Sequence, residues 1–343
     1  MEEKKNSAGN SVQPAARKDR KGHLLKLAAD NSALIALVIL LILATILTAT
    51  MKGINFLQPS NLINILNNNA YIGIIALGMT LVILIGGIDL SVGSQLAITG
   101  LFACSVLNMT GSIFLAILTA IAAALAFGFI TGGLVAKFRI PAFIVTLGTM
   151  TIYRSVAQYI YKGGGITVNT EHVSSFTAIS NTKLFGVVPM PIIYWIILSV
   201  IVGVFMAKTA TGRHIYATGS NEKATKLSGI NVNRIKVIVF MISGVLVALA
   251  AVFEASRLGS MNSASSGTSY EMDAIAAVVI GGTSMSGGRG KIIGTVFGTL
   301  TIGVINNMMT LLGVPPFLVG AVKGVIIIVA VLFQRRLDGK EAA

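Results

Sequence analysis

SALIALVILLILATILTATM, residues 32–51, runs for 20 residues without a single charge. At 1.5 Å per residue a helix of that length reaches about 30 Å, the thickness of a bilayer's hydrocarbon core. The run is too long for the apolar region of a secretory signal. It also lies behind about thirty mostly polar residues and is followed by no small-residue cleavage site, so it reads as a membrane span that stays in the protein.

The rest of the chain repeats the pattern. Of its 343 residues 54% are hydrophobic and only 11% charged, where a soluble domain carries about 25% charged residues. Ten apolar segments are predicted to cross the membrane, at roughly 32–51, 68–87, 92–109, 112–136, 141–161, 190–207, 235–255, 271–282, 291–311 and 317–333. Those at 92–109 and 271–282 are short for a crossing. The expectation is an all-α integral membrane protein of about ten transmembrane helices. Residues 1–31, where Ser, Asn, Gln and Pro mix with charge, read as a disordered basic segment. Residues 32–333 form the membrane domain, including a long loop at 208–236, and 334–343 a short tail.

A net charge of +14 raises the question of nucleic acid. Its placement answers it. With the N-terminus inside, the inner segments hold 20 Lys and Arg and the outer loops only 4, namely Lys52, Lys162, Lys183 and Arg257. That split is the positive-inside signature of a chain with both termini in the cytoplasm.

Chemistry on the chain itself finds little support. SGGRGK at 286–291 resembles a nucleotide-binding loop but has the wrong spacing, and Ile292 follows where Ser or Thr is required. His23, His172 and His214 stand far apart, with no metal-ligand spacing. The lone Cys104 sits in an apolar span and reads as a small buried hydrophobe. Neither cofactor nor metal is expected, and no catalytic residue.

Two internal echoes stand out. Ile85-Gly86-Gly87-x-x-x-Ser91-x-Gly93 recurs as Ile280-Gly281-Gly282-x-x-x-Ser286-x-Gly288, both where a span ends on the cytoplasmic side. Glycine pairs there predict broken or tightly turned helices. Pro141-x-Phe143-Ile144-Val145 is echoed by Pro315-Pro316-Phe317-Leu318-Val319, which open spans of opposite direction, as an inverted repeat would. The small residues Ala122-Ala123-Ala124, Gly128 and Gly132-Gly133 predict close helix packing.

Charges within spans are few: Arg154 and Lys323, with Asp89, Glu254, Glu271 and Asp273 near span ends. At membrane depth a charge costs at least about 2.5–3.5 kcal/mol and tends to face a partner or a wet cavity. Two readings stand open for Arg154 and Lys323: snorkelling to the outer headgroups, or lining a polar vestibule with Thr149, Tyr153 and Gln158 nearby. Thr146 and Asn306 are further neutral polar candidates for a path carrying hydroxylated substrates. The competing reading of such residues is hydrogen bonding between helices. Asp89 reads as a helix-end carboxylate facing the cytoplasm.

The loop KTATGRHIYATGSNEKATKLSGINVNRIK at 208–236 is basic and punctuated by glycine. Thr211-Gly212-Arg213 is expected to turn the chain. Asn221 is a good N-cap, Glu222 suits the first turn of a helix dipole, and Ser228-Gly229 ends the helix. Ala224 and Leu227 share one face. A short helix with a small apolar face and basic flanks suits docking in a partner's groove better than it suits a bland linker.

TGRHIYATGSNEKATKLSGINV (211–232) resembles the signature loop of the ribose-type permeases of bacterial ABC importers, in the branched-chain amino acid/ribose permease family. GMTLVILIGGIDLSVG (78–93), PAFIVTLGTM (141–150) and VIGGTSMSGGRG (279–290) are similar to further segments of that family, and the likeness runs from about residue 61 to 336. The resemblance implies a permease without its own ATP site in the bacterial cytoplasmic membrane. Its implied fold is that of the cobalamin importer (type II), with inverted repeats, in a homodimer. Two cytoplasmic ABC ATPase subunits and an extracytoplasmic sugar-binding protein would complete it. It also implies that the helix at 221–229 couples to the ATPase, placing Gly212, Arg213, Asn221, Glu222, Ala224, Leu227 and Gly229 in that loop. Importer permeases in general carry E-A-A-x-x-x-G there; this chain has Glu222-Lys223-Ala224 with its glycine one position later. Thr146, Thr149, Tyr153, Arg154, Asn306 and Lys323 are the path candidates. Ribose or a similar monosaccharide is the implied cargo. Related permeases carry branched-chain amino acids, nucleosides or a furanose signalling molecule. A secondary transporter without ATPase is the other class, disfavoured by the long loop and by the lack of a buried acidic relay.

Overall fold

Long apolar runs free of proline fold as helices because a backbone in lipid must satisfy its own hydrogen bonds. The computed structural model describes residues 32–341; the segment 1–31 lies outside them. Thirteen helices follow one another among the described residues: α1 (Ser32–Lys52), α2 (Pro59–Leu84), α3 (Val92–Thr110), α4 (Ile113–Phe138), α5 (Ala142–Ile160), α6 (Thr170–Asn181), α7 (Met190–Lys208), α8 (Ala210–Ser220), α9 (Glu222–Leu227), α10 (Val232–Leu258), α11 (Tyr270–Ile280), α12 (Ile292–Leu312) and α13 (Pro316–Glu341). Each segment read as a span is covered by a helix. Seven of them (α1, α2, α3, α4, α7, α10 and α12) are long and apolar enough to cross a membrane.

The core is built around α2, α3 and α10. From Asn69 to Leu84 every residue of α2 is buried, as is most of α3. The helices around them bury one face and leave the other open: on α1, Ile39, Ile42 and Ile46 are exposed apolar side chains, as a lipid-facing helix requires.

Close approach of α4 to α10 follows from small residues four apart. Ala116, Ala120, Ala124, Gly128 and Gly132 form the buried stripe of α4. A methyl group at Gly128 would lie 2.6 Å from the carbonyl oxygen of Phe240, so α10's backbone occupies that space. Only part of the expected small-residue run is used, for Gly133 faces open space.

Helix α2 starts nine residues before the expected span, at Pro59. The intervening asparagines break the apolar pattern, but the structure answers the first of them: Asn61 and Asn307 exchange hydrogen bonds at 3.1 and 3.0 Å. Helix α13 continues to Glu341, through most of the segment read as a tail.

With 11 residues, α11 rises only about 16 Å. It is too short to cross a bilayer as a helix, and non-helical backbone at 259–269 precedes it. Within that segment β4 (Ser260–Asn262) pairs antiparallel with β1 (Gly165–Thr167), Gly165 opposite Asn262. The segment then reaches Gly267, packed so closely on Gly93 that a Cβ on Gly93 would stand 2.1 Å from the Gly267 oxygen. The N-termini of α3 and α11 thus meet inside the bundle. Elsewhere, β2 (Lys183–Leu184) and β3 (Val188–Pro189) form a small hairpin before α7.

Candidate functional site

The loop at 208–236 is two helices rather than one. The chain turns at Thr209, whose hydroxyl accepts the N–H of Gly212 at 3.0 Å and caps α8. Thr211-Gly212-Arg213 are therefore the helix's first turn and not the turn itself. The cap at Thr209 is masked in the sequence because Gly212, three residues on, is the stronger local breaker. Gly212, Ile215 and Thr218 point inward; Arg213 is exposed.

Asn221 caps the next helix, its Oδ1 accepting the Ala224 N–H at 2.9 Å. The six residues of α9 bury only Thr225, so Lys223, Ala224, Lys226 and Leu227 project outward. Leu227 is 90% exposed, an apolar knob among lysines. Gly229, at φ +82°, ends the helix in the left-handed conformation that favours glycine. Glu222 pairs with Lys236 of α10 at 2.9 Å. With the Glu222 side chain half exposed, that pair adds little to stability.

Behind this pair of helices lie both echo motifs. The N–H of Gly288 donates to the carbonyl of Leu84 at 2.9 Å, joining the turn after α2 to the turn after α11. Gly219 of α8 fits against that joint, where a Cβ would lie 1.7 Å from the Leu84 oxygen and 2.6 Å from the Gly288 nitrogen. Tyr216 donates to the carbonyl of Gly290 at 2.9 Å. Burial raises the pKa of that phenol and keeps it a donor. One helix of the loop thus touches the ends of α2, α11 and the approach to α12.

Asp89 does not face the cytoplasm. It is 1% exposed, its Oδ1 accepting the Ser91 N–H at 2.8 Å and the Ser91 hydroxyl at 2.6 Å. Helix α3 has 19 residues where its neighbour α4 has 26, so α3 begins about 10 Å short of the level at which α4 ends and Asp89 sinks with it.

The path candidates fall into separate groups. Thr146, Thr149 and Tyr153 share the buried face of α5. Thr146 donates to the carbonyl of Ile88 at 2.9 Å and Thr149 to that of Thr146 at 3.3 Å. Tyr153 rests 4.4 Å from the Phe127 ring, with its hydroxyl 3.1 Å from that of Thr131. Arg154 sits one residue round the helix on another face, its Nη1 donating to the carbonyls of Ser263 at 3.0 Å and Ser266 at 2.8 Å. Asn306, on α12, has a buried Oδ1 with no hydrogen-bond partner among the described residues. Lys323 of α13 pairs with Asp273 of α11, its Nζ 2.8 and 2.9 Å from the two carboxylate oxygens.

Arg154 alone of these candidates lines a cavity of about 370 Å³ between α5, the start of α3, the 264–269 segment and α11. Ser94, Thr151, Ser155, Gln158, Thr268, Ser269 and Glu271 line it too, with Met150 and Ala264 as the apolar members. A readable signal for part of this wall was present: Thr151, Arg154, Ser155 and Gln158 are spaced i, i+3, i+4 and i+7, one polar stripe on a helix in an apolar region. Among the described residues no group of three or more His, Cys, Asp or Glu is placed to hold a metal ion.

The family model described as "Branched-chain amino acid transport system / permease component" matches residues 61–331. The chain is 43% identical over 310 residues to the ribose import permease protein RbsC of Escherichia coli (strain K12), covering 90% of this chain and 94% of that protein. To RbsC of Bacillus subtilis (strain 168) it is 43% identical over 303 residues, 88% of this chain and 91% of that one. To the L-arabinose transport system permease protein AraH of Escherichia coli (strain K12) it is 37% identical over 263 residues, 77% and 79% of the two chains. No solved structure matches it.

Proposed function

The chain belongs to the family of permease components of branched-chain amino acid transport systems, and from that premise we propose that it is the membrane subunit of an ATP-driven importer for ribose or a similar monosaccharide. The cargo is taken from the relatives named as ribose import permeases, each matched over about nine-tenths of both chains. The L-arabinose permease relative favours another pentose as the second reading.

The subunit works as one of two copies in the bacterial cytoplasmic membrane, with ten helices in the type II arrangement and both termini inside. An extracytoplasmic binding protein delivers the sugar, and two cytoplasmic ATPases supply the energy. The observation that carries this reading is the exposed apolar-and-basic face of α9, joined through Asn221 to α8, whose Gly219 is wedged against both glycine turns. A soluble loop has no reason to expose Leu227 at the tip of a short capped helix; a groove in a partner gives one.

Closure of the ATPase pair on ATP displaces α9, and α8 moves with it because Asn221 is the only residue between the two helices. Gly219 then bears on the Leu84–Gly288 joint and shifts the cytoplasmic ends of α2 and α11. The two states differ in affinity for the ATPase and for the loaded binding protein, and that difference is the coupling. Reconstitution tests the reading: proteoliposomes holding this chain, an ATPase and a binding protein take up ribose only when ATP is on the ATPase side. Uptake indifferent to ATP and to both partners makes the chain a secondary carrier instead.

A further inference from the structure

The polar groove beside Arg154 has a placement that apolar surroundings do not allow. Thr151 and Ser155 are exposed, and Arg154 and Gln158 are half-buried on the same side of α5. Arg154 stands six residues from the C-terminal end of its helix, about 9 Å along the axis, which on the importer reading lies inside the membrane. A charge and several hydroxyls at that depth do not face hydrocarbon; they face water or a ligand. On the importer reading, the groove faces the aqueous path between two copies of the chain.

Resting on the importer reading, we propose that this groove is a solute-binding site of the membrane subunit itself, in which Arg154, Gln158 and Glu271 hold the hydroxyls of one uncharged pentose-like sugar. Its volume of about 370 Å³ is at the small end of the range for small-molecule sites, about 300–1,000 Å³. A sugar hydroxyl both donates and accepts. Arginine only donates, a carboxylate only accepts, and glutamine, serine and threonine do both, so the wall answers a row of vicinal hydroxyls in either sense. One cation and one anion leave the groove without net charge, which matches an uncharged guest. A zwitterionic amino acid also matches the charges. A branched aliphatic side chain, however, needs an apolar wall, and only Met150 and Ala264 offer one.

The two charged groups are fixed before any ligand enters. The carbonyls of Ser263 and Ser266 hold one arm of the guanidinium. The Glu271 carboxylate lies against Gly93 in the first turn of α3, where a Cβ would approach Oε2 to 2.8 Å, and a helix N-terminus favours an anion there. Preorganised side chains need not be ordered when the ligand binds. A site on a transport path must also release, so millimolar affinity is expected rather than the tight hold of a receptor.

The test uses the full chain in lipid nanodiscs with D-ribose as probe, read by saturation-transfer NMR, beside ATP-dependent uptake by the reconstituted complex. Glu271→Gln and Gln158→Leu are each expected to weaken ribose binding about tenfold or more, the loss of one buried hydrogen bond to a charged or amide group, and to lower uptake with it. Tyr159→Ala, 87% exposed and absent from the groove wall, is the control and should leave both unchanged. Co-purification with the ATPase reports whether each variant folds. Folded variants that bind and import ribose as the wild type does overturn the site. Displacement of ribose by L-leucine overturns the sugar assignment. Wild-type ribose binding that both variants abolish, without ATP-driven ribose uptake in the wild type, retires the importer reading and leaves the groove standing.

Discussion

Gly288 and Leu84, 204 positions apart, share a backbone hydrogen bond of 2.9 Å that closes the C-terminal ends of two helices onto each other. The bond joins the two copies of the Ile-Gly-Gly echo, and Gly219 of α8 lies against it. Neither echo is a repeat for its own sake; each supplies a turn with no side chain where a third backbone must fit.

Gly219→Ala tests that fit. Its methyl group has nowhere to go, at 1.7 Å from the Leu84 oxygen, and overpacking of this kind costs about 1–3 kcal/mol. The variant should insert in the membrane and still bind the ATPase, with ATP-driven uptake reduced at least several-fold. Uptake at the wild-type rate would show that α8 does not transmit movement through this contact.

Leu227→Ser separates docking from folding. A side chain 90% exposed contributes little to the isolated subunit, so its melting temperature should stay within the change expected of about 0.5 kcal/mol. Co-purification with the ATPase should fall sharply. Full retention of the ATPase would move the docking surface elsewhere.

Arg213→Ala and Glu222→Ala probe the flanks of the same surface. Both side chains are exposed, and the Glu222–Lys236 pair is worth about 0–1 kcal/mol. Normal amounts of each variant are expected in the membrane, with transport lowered. Normal uptake by abundant, inserted protein would remove both residues from the coupling loop's working face.

Lys323→Ala should be far more damaging to stability. The lysine and Asp273 are 16% and 6% exposed, and stripping one partner from a buried pair costs about 3–5 kcal/mol. The detergent-solubilised variant is expected to unfold at a clearly lower temperature. Replacing both residues by leucine should recover most of that loss, because no lone charge remains. A single variant as stable as the wild type would mean that the pair does not hold α13 to α11.

Much of this architecture could be read from the chain. Uninterrupted apolar length gave the helices, and Asn221 the start of α9, since both are local properties. The misreadings have one origin. The asparagines ahead of residue 68 looked like the end of a membrane segment, but Asn61 is matched by Asn307 from α12. Asp89 looked solvated because a carboxylate at a span end usually is, yet α3 begins too deep for that. Arg154 was legible as a charge needing an answer; that the answer is the main chain of 263–266, with Glu271 across the same cavity, depends on contacts that no local pattern encodes. The groove's polar stripe on α5 was visible in the spacing, and the wall facing it was not.

The half-length of α11 has a consequence for how the protein is made. The carbonyls that receive Arg154 belong to Ser263 and Ser266, 109 and 112 residues further along the chain. A growing polypeptide emerges from its N-terminus, so α5 is made well before those acceptors have been synthesised. Until then the guanidinium must keep its hydration. Only when the 259–269 backbone arrives does the arginine turn from an unanswered charge into the peg on which the last part of the bundle is hung.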